Sequence, residues 1–457
     1  MEQYNDNNML MMKKDQIRGN TIEAKHCNKC LDMFEEALKA EKIYVHIDEI
    51  NEEYNGIRFS IVTREMQDYD SGMAEIKGYR PYFFSYVAEF KGDIKKYVEE
   101  KSVSEQGLPE EDRCFVATFN PNHVKPLFKL EGIVEYAVNS IQYQKRSLII
   151  IDKAYDIFVH NFPISINAVS DHVVKKSFNN TFGNVIFKNA YIYKAGHANL
   201  IRITGHTGKR HFKLLYDIGC HWGNPNSALK MYSKANTALR SMKPSAVILS
   251  HWDADHIMGV VYLPNIAFDC QWFAPAIEEH KQNAIRLAKY LIFKKKLVLV
   301  RRDVADRTIA VINVTKKRSQ CIFGLYMGKN IRIDKISKAN SSGLVLTYEY
   351  RDANQTVVKS AFCGDVPYKA ICNQIWNKKQ IYNYLLIPHH ARKMTVLNNV
   401  KGNSTNSVAL YCKDKIGDKN HIRELFKQGF TQILKTESVP KLYYKIDLRT
   451  PGACFKH

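Results

Sequence analysis

The first 180 residues alternate between short apolar runs and polar interruptions. The runs whose length predicts β-strands lie at 43–47, 57–62, 82–90 and 147–151. Residues 20–39 instead repeat their apolar positions every three or four residues, which is typical of a helix. Residues 103–113 are polar and contain Gly and Pro, so they predict a loop. The pattern indicates an α+β domain, and it groups no residues into an evident catalytic set.

Beyond about residue 180 the apolar runs become continuous and end abruptly in polar residues. Continuous runs are expected for strands that are buried on both faces. They lie at 185–193, 212–218, 246–249, 344–348, 359–363 and 384–387. Helical spacing between 276 and 293 predicts a long helix among these strands. Periodicity is lost between Asn161 and Phe187, so we expect two domains, 1–180 and 181–457.

The apolar run at 246–249 is followed at once by four potential metal ligands. His251, Asp253, Asp255 and His256 stand within six residues. In an extended loop His251 and Asp253 point to the same side, whereas the adjacent Asp255 and His256 can face different ions. Carboxylates are rarely buried unless they are paired or metal-bound. The stretch is therefore a candidate metal site, and the alternative is a solvated polar loop.

The order His-x-Asp-x-Asp-His after a buried strand resembles the second motif of the metallo-β-lactamase superfamily, where His-x-His-x-Asp-His is usual. The variant with Asp253, preceded by Ser250, is similar to the soluble hydrolase domain of ComEC, a bacterial DNA-uptake protein. Further motifs of the family occur in the expected order. They are Asp217-x-Gly219, the loop Asn340-Ser341-Ser342-Gly343, Gly364-Asp365 and Pro388-His389-His390. The resemblance covers about residues 185–450.

The resemblance implies an αββα sandwich that binds two divalent metal ions. Asp365 is expected to bridge the ions, and Asp217 and Gly219 are expected to support the metal loop without binding metal. Asn340 stands where the superfamily usually has a histidine, so it is either a weak ligand or no ligand. The implied ligands are His251, Asp253, Asp255, His256, Asp365 and one of His389 and His390, of which we favour His390. ComEC-like proteins continue with Gly-Ser, whereas this chain has Ala391-Arg392, which leaves the geometry of this loop open.

Three carboxylates and three imidazoles are enough to hold two ions, which would activate a water and stabilise the attacking and leaving oxygens. Because Asp253 replaces a histidine, the ligand set is harder. This shifts the expectation from Zn²⁺ alone toward Mn²⁺, with Mg²⁺ also allowed. Asp253 or Asp255 could accept the proton of the attacking water, so both are candidate catalytic residues. No Ser or Cys nucleophile is needed.

The positive charge of the chain is concentrated in its second part. The formal net charge is +21, with −6 on residues 1–180 and +27 on the remainder. Such asymmetry indicates an anionic partner, most simply nucleic acid. Residues 281–302 contain eight basic and no acidic residues, which predicts a phosphate-contacting ridge; a solvated helix face is an equal alternative. The candidate contacts are Lys289, Lys294, Lys295, Lys296, Arg301, Arg302 and, after the last motif, Arg392.

These features predict a metal-dependent phosphodiesterase or nuclease that acts on DNA more readily than on RNA, as a free-standing enzyme of a bacterial defence or processing system. The alternatives are a hydrolase of small phosphate or other esters, and a nucleic-acid-binding module with a dead metal site. No apolar run is long enough for a membrane span, and no signal-peptide core is present. The cysteines are scattered apart from Cys27-x-x-Cys30, which is either half a zinc site or a pair of surface thiols. We therefore expect a cytoplasmic protein without a membrane partner, whose residues 1–180 bind a protein partner.

Overall fold

A computed structural model describes most of the chain after residue 166. It describes residues 167–457 apart from 197, 220–237, 278–281, 317–318, 334–335, 337, 377–379, 413–416, 437–442, 453 and 457. Before residue 167 it describes six strands and positions 29, 69, 72 and 73. The predicted helix at 20–39, the strand at 147–151 and the Cys27–Cys30 pair thus lie outside the described residues, apart from position 29.

The chain divides into two compact units. The first comprises residues 1–166, 223–227 and 279–295, and the second comprises 167–222, 228–278 and 296–457. The expected division between residues 180 and 181 stays a prediction. None of the described helices has both the length and the apolar character that crossing a bilayer requires.

The strands of the first unit are β1 (Ile43–Asn51), β2 (Gly56–Ser60), β3 (Phe83–Glu89), β4 (Cys114–Ala117), β5 (Val124–Leu130) and β6 (Ile133–Val138). They form one sheet in the order β4-β1-β2-β3-β6-β5, in which β3 and β6 are parallel and the other neighbours are antiparallel. Three of these strands, β1 to β3, lie where the apolar runs predicted them.

The strands of the second unit that form its first sheet are β7 (Ile186–Tyr193), β8 (Leu200–Thr207), β9 (Arg210–Ile218), β10 (Ala246–Ile248), β11 (Gln271–Pro275), β12 (Leu297–Val300), β22 (Tyr443–Asp447) and β23 (Cys454–Lys456). Their order is β12-β11-β10-β9-β8-β7-β22-β23. The neighbours from β9 to β12 pair in parallel, and the other neighbours are antiparallel.

The second sheet contains β13 (Arg307–Lys316), β14 (Ser319–Met327), β15 (Leu344–Arg351), β16 (Val357–Phe362), β18 (Tyr384–Leu386), β20 (Val408–Tyr411) and β21 (Gln432–Lys435), adjacent in that order. Two short strands, β17 (Gln380–Tyr382) and β19 (Val400–Gly402), pair separately. The described helices are α1 (Asp171–Phe182), α2 (Ala254–Ile257), α3 (Gln282–Phe293), α4 (Lys338–Ser341) and α5 (Lys419–Lys427). Short 3-10 turns occur at Met258–Tyr262, Asn265–Asp269, Tyr368–Ile371 and Pro388–Ala391.

The central strands of the second sheet, β15, β16, β18 and β20, bury both of their faces, which explains their continuous apolar sequences. In β15, Leu344 and Leu346 join the core shared with the first sheet, whereas Val345 joins a second core on the opposite face. The shared core contains residues of both sheets, including Leu214 of β9 and Leu410 of β20. The two sheets therefore form a sandwich, and the expected mixed α/β sandwich is confirmed.

Helix α1 is held to the sandwich by aromatic packing. The ring of Phe178 stacks on Phe323 of β14 at a centroid distance of 5.3 Å and meets Phe273 of β11 edge-on at 5.7 Å. Phe182, one turn later, packs on Phe323 at 5.2 Å. Because Phe323 and Phe273 belong to different sheets, α1 contacts both layers of the same core.

The parallel strands of each sheet place their carboxyl ends at a common edge. Asp217 stands near the end of β9 and Gly219 follows that strand. The chain leaves β10, β16 and β18 into segments that carry Ser250 to His256, Gly364-Asp365 and His389-His390. In open α/β sheets, such edges are where ligands bind. The topology therefore gathers all the predicted motif residues of these segments at one side of the sandwich.

Candidate metal centre

Asp217 forms the buried base of the site. It has a left-handed backbone conformation (φ 56°), and its Oδ1 accepts a hydrogen bond from the Ser250 amide at 2.6 Å. Its Oδ2 accepts one from the Ser250 hydroxyl at 2.8 Å and lies 2.8 Å from Nδ1 of His256. Asp217 thus fixes His256 through Nδ1 and leaves Nε2 for another partner, as is usual for metal-binding histidines.

Ser250 orients the other histidine of the motif. Its single hydroxyl proton is donated to Asp217, so its oxygen is left to accept from Nδ1 of His251, which lies 2.9 Å away. His251 then presents an unprotonated Nε2. One carboxylate and one hydroxyl therefore set the ring orientation of both His251 and His256. The sequence motif contained Ser250, but sequence reasoning had assigned it no role.

Gly219 allows the metal loop to approach β9 closely. A Cβ at this position would lie 1.9 Å from the backbone oxygen of Asp255, so no side chain fits. The Gly219 amide donates to Asn199 at 2.6 Å, and the Asn199 amide donates to the Asp255 carbonyl at 3.2 Å. Gly219 therefore supports the backbone that carries Asp255. Asn199 is part of the same support and was missed by the sequence interpretation.

Four ligand atoms converge at the centre of the site. The ligand atoms of Asp255, His256, Asp365 and His390 all lie within 4.8 Å of one another. His390 Nε2 is 3.0 Å from Asp255 Oδ2, and His256 Nε2 is 3.2 Å from Asp365 Oδ1. Two ligands of one tetrahedral ion with bonds of about 2.1 Å are separated by about 3–3.5 Å. The spacing of these atoms therefore fits a divalent ion.

The second oxygen of Asp365 faces a different group of side chains. Asp365 Oδ2 lies 2.9 Å from Nδ1 of His389 and 4.0 Å from Nε2 of His251. His251 Nε2 in turn lies 3.5 Å from Oδ2 of Asp253. Asn340 reaches this group through its amide nitrogen, 3.4 Å from His389 Nδ1. The two oxygens of Asp365 thus face two ligand groups, which is the arrangement that a bridging carboxylate requires.

The two neighbouring histidines occupy an unusual backbone segment. His389, His390 and Ala391 all have left-handed conformations, with φ of 49°, 52° and 57°. Such conformations are costly for residues with side chains and persist only when the surroundings hold them. The Ala391 methyl is thus held in a conformation that glycine adopts more readily. Each histidine faces a different oxygen of Asp365, which sequence reasoning could not distinguish.

The loop is held by hydrogen bonds from several elements. The His389 amide donates to Gly364 at 3.1 Å, and His390 Nδ1 donates to the Cys412 carbonyl at 2.6 Å. His421 of α5 donates through Nδ1 to the Arg392 carbonyl at 2.8 Å and accepts from the Tyr368 hydroxyl at 3.1 Å. His390 Nε2 is consequently directed at Asp255. Nothing in the local sequence signalled that Cys412, His421 or Tyr368 would support this loop.

The electrostatics of the site favour bound positive charge. Burial alone would raise the pKa of the Asp365 carboxyl, but the charges of His256, His389 and His390 hold it well below its ordinary value. Burial would lower the pKa of His256, yet the surrounding carboxylates of Asp365, Asp217 and Asp255 raise it well above its usual range. The buried carboxylates therefore stabilise a cation in their midst.

Three potential ligand atoms of the site lack hydrogen bonds. They are Nε2 of His251, Nε2 of His256 and Oδ1 of Asp365, and all three are buried. Buried polar atoms normally have hydrogen-bond partners, so unpaired atoms of this kind point to a bound ion. Imidazole nitrogens and carboxylate oxygens are ligands for Zn²⁺ and Mn²⁺. The residues present therefore fit the divalent metal that the ligand motifs imply.

The predicted basic contacts are distributed over different environments. Lys295 and Arg392 are exposed, Lys289, Lys294 and Lys296 are partly buried, and Arg301 is exposed and 3.4 Å from Asp303. Arg302 is 6% exposed and donates to the Ala276 carbonyl at 2.6 Å and the Ser342 hydroxyl at 2.7 Å. Its guanidinium therefore supports the loop that follows α4 instead of facing solvent. Arg286, one of the eight basic residues of 281–302, is also buried.

Comparison with known proteins finds a family similarity over part of the chain. Residues 196–314 match the family model "Metallo-beta-lactamase superfamily". This match includes Asp217 and the His251–His256 motif and ends before Asn340, Asp365 and His390. No curated protein matches the chain.

Several solved structures are similar at low identity. YhfI, a metallo-β-lactamase fold protein from Bacillus subtilis, is 11% identical over 57% of this chain and 100% of that chain, with a TM-score of 0.31. The metallo-β-lactamase MIM-1 from Novosphingobium pentaromativorans is 16% identical over 44% and 76%, with a TM-score of 0.23. CmlA, a diiron β-hydroxylase from Streptomyces venezuelae, is 10% identical over 88% and 70%, with a TM-score of 0.29. Residues 196–314, which include strands of the sandwich, are thus similar to the metallo-β-lactamase superfamily.

Proposed function

We propose that this protein is a metal-dependent hydrolase of phosphodiester bonds in nucleic acid, with DNA preferred over RNA. The observation that carries the proposal is the convergence of Asp255, His256, Asp365 and His390 on one point, with a second group around the other oxygen of Asp365. A pair of divalent ions in such a site supplies charge stabilisation for the attacking and leaving oxygens of a phosphodiester.

The protein's own residues prepare this site in three ways. Asp217 and Ser250 fix the tautomers of His251 and His256, so that both rings present Nε2. The left-handed loop directs His390 toward Asp255. Asp253 and Asp255 keep partly accessible carboxylates, 20% and 23% exposed, which can accept a proton from a water beside the substrate. These features favour hydrolysis over a binding role.

The choice of a nucleic-acid substrate is supported by charge. Residues 181–457 carry a net charge of +27, far more than a small phosphate ester needs for binding. The finer resemblance to the ComEC hydrolase domain, on Ser250 and His251 to His256 and on Pro388 to His390, agrees with this substrate. The metal is proposed to be Zn²⁺ or Mn²⁺, with Mg²⁺ also accepted.

The proposal is tested by metal-stripped protein that is reloaded separately with Mn²⁺, Zn²⁺ or Mg²⁺. We expect cleavage of DNA, and slower cleavage of RNA, only after reloading, and no cleavage by Asp255→Ala. A nitrophenyl phosphodiester serves as a small substrate in the same reactions. Cleavage of the small ester without cleavage of either nucleic acid would replace this function by that of a small-ester hydrolase. Metal binding without any hydrolysis would leave only a binding module.

A further inference from the structure

A second concentration of basic side chains lies at the opposite end of β9 from the metal centre. The hairpin between β8 and β9 turns at Thr207 to Arg210, and His206 pairs with His211 across it. Lys209, Arg210 and His211 are exposed. Because β9 runs from this hairpin to Asp217, a strand rise of about 3.3 Å per residue separates His211 from the metal centre by about 20 Å. The hairpin is therefore remote from the catalytic residues.

Three basic residues from other segments join the hairpin. The Leu448 amide donates to the Lys188 carbonyl at 2.8 Å, which brings the following residue, Arg449, beside β7. Burial lowers the pKa of His206, and the positive charges of Lys316, Arg449, Lys188 and His211 lower it further. Lys188, His206, Lys209, Arg210, His211, Lys316 and Arg449 are here called the hairpin patch.

The hairpin patch extends across both sheets of the sandwich. Burial raises the pKa of the Cys321 thiol in β14, and the charges of Lys316 and Arg449 oppose that rise. The Tyr348 hydroxyl of β15 donates to the Phe187 carbonyl of β7 at 2.9 Å, directly beside Lys188. Residues of the first sheet, such as Lys188, and of the second, such as Lys316, thus lie at the same end of the sandwich, near His206.

Among the residues that the structure describes, little of this positive charge is neutralised. The acidic side chain found there in contact with the patch is Asp447, whose Oδ1 lies 3.6 Å from Nε of Arg449. Lys188, Arg210 and Lys316 are exposed. Like charges that crowd together repel one another, and a bound polyanion relieves this repulsion. A surface of several lysines and arginines without matching acids is the electrostatic footprint of a nucleic-acid backbone.

We infer that the hairpin patch is a second binding surface for the phosphate backbone of nucleic acid, separate from the metal centre. The inference rests on the proposed action on nucleic acid and adds where a long substrate is held. The patch binds phosphates of any sequence, because contacts to the backbone carry no base information. It contributes affinity for polymers and has no effect on substrates too short to span about 20 Å.

The test uses the full chain in EDTA, so that binding is measured without cleavage. The variant combines Lys188→Ala, Arg210→Ala and Lys316→Ala, and binding to a labelled DNA duplex is followed by fluorescence anisotropy over a series of salt concentrations. We expect weaker binding, with the slope of log K against log salt reduced by about 0.9 for each lost phosphate contact, or about 2.7 in total. On single strands the reduction is about 0.7 per contact.

Two control variants separate the patch from general charge and from folding. Lys188→Arg, Arg210→Lys and Lys316→Arg together keep the charge and should keep the wild-type slope. Lys359→Ala, Lys401→Ala and Lys427→Ala remove the same charge from dispersed sites, and should change the slope clearly less than the patch variant does. An unchanged slope in the patch variant, or an equal change in the dispersed variant, would overturn the inference.

Further results distinguish this inference from a membrane-binding surface and from the proposed hydrolase function. Sedimentation with vesicles of phosphatidylcholine and phosphatidylserine should show no patch-dependent binding, and patch-dependent binding to vesicles but not to DNA would overturn the inference in favour of a membrane surface. If the reloaded wild-type protein cleaves no nucleic acid but its binding in EDTA depends on the patch, the hydrolase proposal fails and the patch remains. If the wild-type protein cleaves nucleic acid and the patch variant binds DNA normally, the inference about the patch is wrong and the hydrolase proposal stands.

Discussion

At the scale of single residues, the site is built by side chains that prepare other side chains. Asp217 binds Ser250 through both the amide and the hydroxyl, and it also contacts His256. Removing such a supporting carboxylate commonly lowers metal affinity by about 10–100-fold. The ligands themselves are therefore only part of what determines metal binding here.

The first prediction concerns a ligand. Asp255→Ala should lower the amount of bound metal, because Asp255 Oδ2 lies 3.0 Å from His390 Nε2 and 3.7 Å from His256 Nε2 in the ligand cluster. Metal content of the reloaded protein measures the effect, and circular dichroism shows whether the fold is kept. Asp269→Ala, an exposed aspartate outside the cluster, is the control and should bind metal normally. Unchanged metal content in Asp255→Ala would remove Asp255 from the ligand set.

The second prediction concerns the position where the superfamily usually has a histidine. Asn340 supplies an amide that lies 3.4 Å from His389, and an amide is a weaker ligand than imidazole. We therefore expect one ion to be held weakly, and Asn340→His to tighten that zinc site by at least about tenfold. Calorimetric titration of metal-free protein with Zn²⁺ would show it. Two tightly held ions in wild-type protein purified without added metal would contradict this expectation.

At the scale of elements, the metal loops depend on close packing between strand ends. Gly364 follows β16 in a left-handed conformation (φ 55°), and a Cβ there would lie 2.4 Å from Cβ of Ser250. Ser250 orients His251 and lies 3.2 Å from Nδ1 of His256, which Asp217 holds. The segment after β16 is thus pressed against the segment after β10, and glycine is required where they meet.

The third prediction tests this contact. Gly364→Ala should destabilise the protein by more than about 2 kcal/mol and should lower metal affinity, because the methyl group would displace Ser250. Gly208→Ala is a matched control, since Gly208 has a similar φ of 59° but no atom within 4 Å of its Cβ position. Gly208→Ala should lower the free energy of unfolding by only about 1 kcal/mol, which is the cost of the left-handed backbone conformation for alanine. Urea unfolding of both variants makes the comparison, and equal losses would show that Gly364 is required only for its backbone conformation.

At the scale of the whole molecule, the protein carries more positive charge than its fold requires. Residues 281–302 contain eight basic residues and no acidic ones, although Arg286 and Arg302 prove to be buried. Lys294, Lys295 and Lys296 are partly or fully accessible. These three lysines are therefore the part of the predicted ridge that is best placed to contact phosphate.

The fourth prediction concerns these lysines. Neutralising Lys294, Lys295 and Lys296 together should weaken DNA binding alike for all sequences and reduce the salt slope by about 0.9 per lost duplex contact. Hydrolysis of a small nitrophenyl phosphodiester should stay nearly unchanged, because it needs only the metal centre. Anisotropy titrations at several salt concentrations and a colorimetric assay measure the two effects. If the slope stays at its wild-type value, residues 281–302 form a solvated helix face, which is the alternative interpretation.

Local sequence determined those features that depend on near neighbours. Continuous apolar runs predicted strands such as β9, β10 and β15, because burial on both faces excludes alternation. The spacing of His251, Asp253, Asp255 and His256 predicted a metal loop, because the chemistry of these side chains does not suit a core. The sequence order of the remaining motifs carried the family resemblance, and that resemblance implied the sandwich.

Tertiary structure alone decided which distant groups meet. His390 and Asp255 are 135 residues apart in sequence, and their 3.0 Å contact depends on the packing of two sheets and on three successive left-handed residues. The same packing between elements assigns His389 and His390 to different oxygens of Asp365. It also buries Arg302 and assembles the hairpin patch from four segments. Periodicity describes a residue's own strand or helix, whereas the register and packing between elements determine which side chains from different elements come together.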